Sequence, residues 1–302
     1  MDQAEQLRNI IKANNVSQRP VARVITVTSG KGGVGKSNTS INLAIQFRKM
    51  GQRVIILDAD FGLANIEVMF GAVPKHNLAD LIYQGMSIQD IITWGPMDVG
   101  FISGGSGIAG MSNLDRENLT YIIQNLAKLD AITDVIIVDT GAGISDAVLE
   151  FLVASGEILL VTTPEPTSIT DSYSLLKALS RHGRFSLEMS QIKVIANKVE
   201  NAQEGQALFN KLSRVVERYL KLPISYLGAV PEDNMLSKAV MQQTPVSISS
   251  PNAKSTLAYE KIAQVLMNKE TASTVKKRGM AAFFSHIVSG KKASANTQQP
   301  MN

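Results

Sequence analysis

Ser29-Gly30-Lys31-Gly32-Gly33-Val34-Gly35-Lys36-Ser37 constrains this 302-residue chain more than any other segment. The frame Gly30-x-x-x-x-Gly35-Lys36-Ser37 is that of a phosphate-binding loop, which has meaning only between a buried strand and a helix. Both flanks are present. The β-rich run Arg23-Val24-Ile25-Thr26-Val27-Thr28 precedes the loop, and Ile41, Ala44, Ile45 and Arg48 follow at helical spacing. Glycines let successive backbone N–H groups curl around a polyphosphate without Cβ clashes. Lys36 places a cation at the β/γ-phosphates, the Ser37 hydroxyl suits Mg²⁺, and the helix N-terminus adds its dipole. Gly30, Gly32, Gly33, Val34, Gly35, Lys36, Ser37 and Asn38 are therefore the expected nucleotide cradle.

The rest of the chain has the organisation such a loop requires. Strand-like runs at 23–28, 53–57, 99–102, 135–139, 157–162, 193–197 and 224–228 alternate with helical patterns at 37–50, 114–128, 144–154, 167–181, 205–220 and 253–268. That alternation predicts an α/β, doubly wound, mostly parallel sheet with helices on both faces and ligands at the strand C-terminal ends. The expected division is an N-terminal helix and linker at 1–20, a nucleotide-binding domain at 21–268, a linker and amphipathic helix at 269–292, and a disordered polar tail at 293–302. No apolar run is long enough to span a bilayer, and no signal-peptide core opens the chain. With no cysteines and three scattered histidines, neither disulfides, thiolate chemistry nor metal-ligand spacing is in view. A cytoplasmic protein is the expectation.

Two acidic strand ends complete the chemistry. Leu57-Asp58-Ala59-Asp60-Phe61-Gly62-Leu63-Ala64-Asn65 places two carboxylates directly after a buried strand, where they are costly unless they ligate, pair, cap a helix or catalyse. Val135-Ile136-Ile137-Val138-Asp139-Thr140-Gly141 ends a second buried strand in a carboxylate, the place of a Mg²⁺-supporting group beside a γ-phosphate-sensing loop.

The second lysine narrows the reading. Lys31-Gly32-Gly33-Val34-Gly35-Lys36-Ser37 resembles the deviant phosphate loop of the MinD/ParA ATPases, and the Asp58–Asn65 run resembles their second aspartate motif. The resemblance implies ATP and Mg²⁺ as cofactors and an ATP-dependent nucleotide-sandwich homodimer in which Lys31 reaches the partner's ATP. It further implies that Asp58 supports Mg²⁺, that Asp60 orients the attacking water, and that Asn197 reads adenine beside a loop containing Pro231 and Asp233. Val199-Glu200 after Asn197-Lys198 departs from the Asn-Lys-x-Asp of GTP-specific loops. Gly141 stands where members of the family often have proline, so a more flexible switch loop is expected.

Charge and amphipathicity single out the two ends. Lys269, Lys276, Lys277, Arg278, Lys291 and Lys292 against Glu270 give residues 269–292 a charge of +5 out of a total of +4, leaving the remainder at −1. A nearly neutral body argues against direct DNA binding, and a basic tail argues for a local anionic partner. Met280, Phe283, Phe284, Ile287 and Val288 fall on one apolar helical face behind Lys276, Lys277 and Arg278. The reading is an interfacial membrane helix for anionic inner-membrane lipid; a helix packed on its own domain is the other.

The start, Asp2-Gln3-Ala4-Glu5-Gln6-Leu7-Arg8, resembles the activator helix of FlhG-type flagellar-number ATPases. That likeness implies that Asp2, Gln3, Ala4, Leu7 and Arg8 dock on the signal-recognition-particle-type flagellar GTPase FlhF and that a glutamine stimulates its hydrolysis. It also implies contacts with a flagellar switch-complex protein and a flagellar master transcription factor, with the protein peripheral on the inner membrane in its ATP state. A MinD-type division-site ATPase, a ParA-type DNA-segregating ATPase and an ATP-binding scaffold without turnover are the alternatives.

Overall fold

The computed structural model describes residues 21–60, 65–104, 116–268 and 279–295. Eight strands form one sheet: β1 (Arg23–Thr28), β2 (Val54–Ala59), β3 (Thr93–Trp94), β4 (Gly100–Ser103), β5 (Val135–Thr140), β6 (Glu157–Thr162), β7 (Gln191–Val199) and β8 (Ile224–Pro231). Their order is β3-β4-β2-β5-β1-β6-β7-β8. Every pairing is parallel except β3 with β4 at one edge. The strand runs read from the sequence correspond to seven of these strands. The two-residue β3 is too short to leave a periodic signal.

Alternation along the strands sorts the core into two faces, as the two-residue period of a strand dictates. Ile25, Val27, Ile56 and Ile137 point to the face covered by α1 (Lys36–Lys49), which supplies Ile41, Ala44 and Ile45. Tyr259, Ile262 and Leu266 cover the same face. Val24, Ile55, Leu57, Ile136 and Val138 point the other way. Helices therefore lie on both faces, and the central parallel strands β1, β2 and β5 are buried along their whole length.

Short helices follow α1: α2 (Asn65–Phe70) and α3 (Leu78–Tyr83), then α4 (Arg116–Ala127), α5 (Leu129–Ile132) and α6 (Asp146–Ala154). The second half carries α7 (Pro166–Ser180), α8 (Ala202–Leu220), α9 (Asn234–Met241), α10 (Val246–Ser249) and α11 (Lys254–Asn268), and α12 (Met280–Ala295) closes the described chain. Side-chain caps start several of them, with Ser145 accepting from Val148 N–H and Asn201 from Glu204 N–H.

In this structure α12 is docked on the body. Its Met280, Phe283, Phe284 and Ile287 are buried against the body, where they join Ala22, Leu129 and Phe151 in one apolar cluster. Phe283 stacks on Phe151 with ring centroids 6.0 Å apart. The apolar face expected to meet lipid is thus covered by protein. The helix also runs to Ala295, past the boundary expected at 292, so Lys291 and Lys292 lie within it. Lys276, Lys277, Arg278 and the Val288 side chain lie outside what is described, as do Asp2, Gln3, Ala4, Leu7 and Arg8. Among the described residues no helix is long and apolar enough to cross a membrane.

Candidate active site

The C-terminal ends of β1, β2, β5 and β7 converge on the loop between β1 and α1. Gly33 (φ 75°) and Gly35 (φ 92°) take left-handed backbone angles that a Cβ would strain, and these bend the loop into α1. Gly30 answers a different demand. A Cβ there would lie 2.2 Å from the carbonyl carbon of Asp171 and 2.4 Å from Ser172 N, so the loop rests directly on the backbone of α7. At Gly32 and Gly33 a Cβ would meet nothing within 4 Å, which leaves that side of the loop accessible to a phosphate.

Lys36 is buried in this cradle with Nζ 3.2 Å from Asp139 Oδ2, and Ser40 Oγ donates to Asp139 Oδ1 at 2.7 Å. Asp139 is fully buried at the end of β5. It sits in strand register with Asp58 at the end of β2. Burial pushes the Asp58 carboxyl up to about 7, and the neighbouring Asp139 charge adds to that; N–H donation from Asp60 and Ile66 and the Lys36 charge oppose it.

Two carboxylates side by side in a dry site call for positive charge beyond one lysine. Asp139 Oδ2 is buried with the Lys36 charge as its ion-pair partner and no further hydrogen bond. Asp58, Asp139 and the Ser37 hydroxyl offer hard oxygen donors, and the residues present fit Mg²⁺. Asp60 is half-buried, accepts from Asn65 Nδ2 at 3.3 Å, and lies next to Gly141, where a Cβ would be 3.6 Å from its Oδ1. The Asp60 carboxylate and the loop after β5 are therefore neighbours. Gly143 N–H donates to Ser29 O at 2.9 Å, which ties that loop to the phosphate loop and leads straight into α6.

Other expected site residues have duties within the protein. Asn197 is buried, and its Nδ2 donates to Val34 O at 2.7 Å, so its amide holds the phosphate loop. Lys198, at φ 55°, donates to Gly33 O at 2.8 Å beside it. Asp233 caps α9 through Met235 N–H and takes both the N–H and the hydroxyl of Ser255. Burial pushes its carboxyl up, but those donors outweigh it and the net displacement is downward. Pro231 ends β8 in register with Val199. Asn38 contributes its carbonyl to Asn42 Nδ2 at 2.8 Å.

Lys31 does not point into its own loop. Its Nζ pairs with Glu165 Oε2 at 2.7 Å and Thr167 Oγ1 at 2.9 Å, at the start of α7. Neither Glu165, Thr167, Ser40 nor Lys198 figured among the residues expected from sequence. Pro164-Glu165-Pro166 does mark a helix start, but its partner lies 134 residues earlier.

Residues 20–267 match the ParA family, described as NUBPL iron-transfer P-loop NTPases. The chain is 43% identical over 249 residues to the antiactivator FleN of Pseudomonas aeruginosa, covering 82% of this chain and 87% of that one. It is 33% identical to the flagellum site-determining protein YlxH of Helicobacter pylori, covering 95% of this chain and 98% of that one. Among solved structures, the septum site-determining protein MinD complexed with Mg-ADP from Pyrococcus horikoshii superposes with a TM-score of 0.62 at 22% identity, over 85% of this chain and 100% of that one.

Proposed function

The chain belongs to the ParA/MinD-type P-loop NTPases and is an ATPase of that family, and from this premise we propose that it is a nucleotide-driven switch controlling flagellar number and placement. The flagellar reading rests on its likeness to FleN and YlxH along most of its length. With no cysteine in the chain, the iron-transfer activity in the family's description would lack thiolate ligands.

The observation that carries the switch is one continuous path. Asp139 ends β5, the next residues tie to the phosphate loop through Gly143, and α6 then supplies Phe151 to the tail helix. Phosphate site and tail groove share a single short segment. In the proposed cycle Lys36 transfers its charge from Asp139 to the β/γ-phosphates, and the phosphate-loop N–H groups hold the rest of the polyphosphate. Ser37, Asp58 and Asp139 would hold Mg²⁺, which when bound neutralises phosphate charge. Asp60 orients the attacking water and accepts its proton. Lys31 leaves Glu165 and Thr167 to stabilise charge on the partner protomer's ATP. Dimerisation and motion of α6 release α12 to anionic lipid, where two tails bind more tightly than one.

In this reading the N-terminal residues Asp2–Arg8 engage the flagellar GTPase FlhF, and the switch-complex protein and master transcription factor remain further proposed partners. The test is to count flagella by electron microscopy in a deletion strain while scoring division sites. Supernumerary or misplaced flagella with normal septa support the proposal. Normal flagella with minicells would instead assign the chain to division-site positioning.

A further inference from the structure

Asp130 joins the two ends of the described chain. It lies in α5, half-buried, and its Oδ1 accepts the N–H of Met280, the first residue of α12, at 3.0 Å. The backbone N–H of Ala22, immediately before β1, is directed at the same carboxylate and draws it downward. Gly279 closes the junction: a Cβ there would lie 2.1 Å from Asp130 Oδ2 and 2.6 Å from Val21 Cγ1. Ala22 and Met280 are buried in one apolar cluster with Leu129 and Phe283. The start of α12 and the residues entering β1 thus meet at one point, with one side chain facing a backbone N–H from each.

We propose that Asp130 is a shared pin coupling the docking of the C-terminal helix to the anchoring of the N-terminal segment, so that occupancy of either end by its partner loosens the other. The physical reason is the common acceptor. When α12 leaves, Met280 N–H and its side chain go with it. The Asp130 carboxylate is then more hydrated and free to turn to water, and the Ala22 anchor weakens. Burial holds the Asp130 carboxyl up at about 6 against the pull of its two N–H donors, so it gains by hydration once the junction opens. Coupling between sites is reciprocal. A partner pulling on the segment before Val21 therefore favours release of the tail by the factor that tail release favours the partner. This rests on the proposed membrane role of α12, and the experiment separates the two.

Hydrogen exchange on the full chain reads both ends at once, with Ile136–Val138 in the central strand as a folding control. Evicting the tail with Phe283→Glu plus Phe284→Glu should raise exchange at residues 21–24 about tenfold, within the usual range for coupled sites. Asp130→Ala should raise it at both 21–24 and 280–287, and Asp130→Asn, which keeps an acceptor oxygen, should do so less. Should Asp130→Ala also expose the central strand, the wild-type protein decides: ATP with vesicles of phosphatidylglycerol and phosphatidylethanolamine should loosen 21–24 as the tail binds. Tail eviction that leaves 21–24 as protected as before overturns the coupling. Failure to bind the vesicles, with 21–24 still loosened by tail eviction, overturns the membrane role and leaves the coupling standing.

Discussion

Lys31 and Glu165 of the same protomer form an ion pair at 2.7 Å, so the lysine expected to act across a dimer is held in cis by the start of α7. Glu165 is pulled below the usual carboxylate range, first by the Lys31 hydrogen bond and then by its charge. Both side chains are substantially exposed, so the pair is open to screening by salt and readily exchanged. Lys31→Ala in an Asp60→Ala background should leave nucleotide binding within a few-fold and abolish the ATP-dependent dimer. Light scattering on a sizing column with ATP checks this; a persistent dimer would remove Lys31 from the interface.

Asp60 and Lys36 act on different steps, and their variants should separate them. Asp60→Ala should cut phosphate release by about 10²-fold or more, the scale of losing a positioned proton acceptor, with ATP still bound. Lys36→Ala should lose binding itself. Unchanged phosphate release in Asp60→Ala would favour an ATP-binding scaffold.

Gly30→Ala tests the close approach of loop and helix. The new methyl would meet the backbone of Asp171 and Ser172, which cannot rotate aside as a flexible side chain would. We expect nucleotide binding to fall at least tenfold, measured by titration calorimetry, with Gly32→Ala milder because a Cβ there has room.

The tail dock should respond to charge. Phe283 and Phe284 are buried, and removing their two apolar side chains from the groove forfeits roughly 3–6 kcal/mol before the cost of burying a carboxylate. Phe283→Glu plus Phe284→Glu should therefore undock α12 and leave the sheet intact. The same variant should not pellet with anionic vesicles. Pelleting that survives would exclude this face as the lipid contact.

At the opposite end of the sheet, Glu157 accepts from Arg23 Nε and Nη2 and from Lys193, and Arg23 Nη1 reaches Leu266 O. Burial pushes the Glu157 carboxyl up, but Arg23 and Lys193 outweigh it and the net displacement is downward. A carboxyl depressed in the folded state contributes stability above its unfolded value of about 4.3, and that contribution is lost as pH falls through the folded value. Glu157→Gln should cost about 3–5 kcal/mol at pH 7 by stranding two buried cations. Thermal melts of both proteins between pH 7 and pH 3 should converge toward acid.

The nucleotide cradle and the sheet were legible because their signals are local. The Gly30–Ser37 spacing, the acidic strand ends at Asp58 and Asp139, and the alternation of strand and helix patterns all arise from neighbours in sequence. Backbone angles at Gly33 and Gly35 belong to the same class. Partners distant along the chain were not legible. Nothing near Lys31 names Glu165, nothing near Asn197 names Val34 O, and nothing near Asp130 names Ala22 and Met280. The amphipathic face of 280–287 is the sharpest case: a helix that buries Phe283 against Phe151 and one that buries it in lipid need the same apolar spacing. Periodicity determines that a face must be covered. Only tertiary packing decides by what, because the burial free energy is non-directional and the covering surface is assembled from distant parts of the chain.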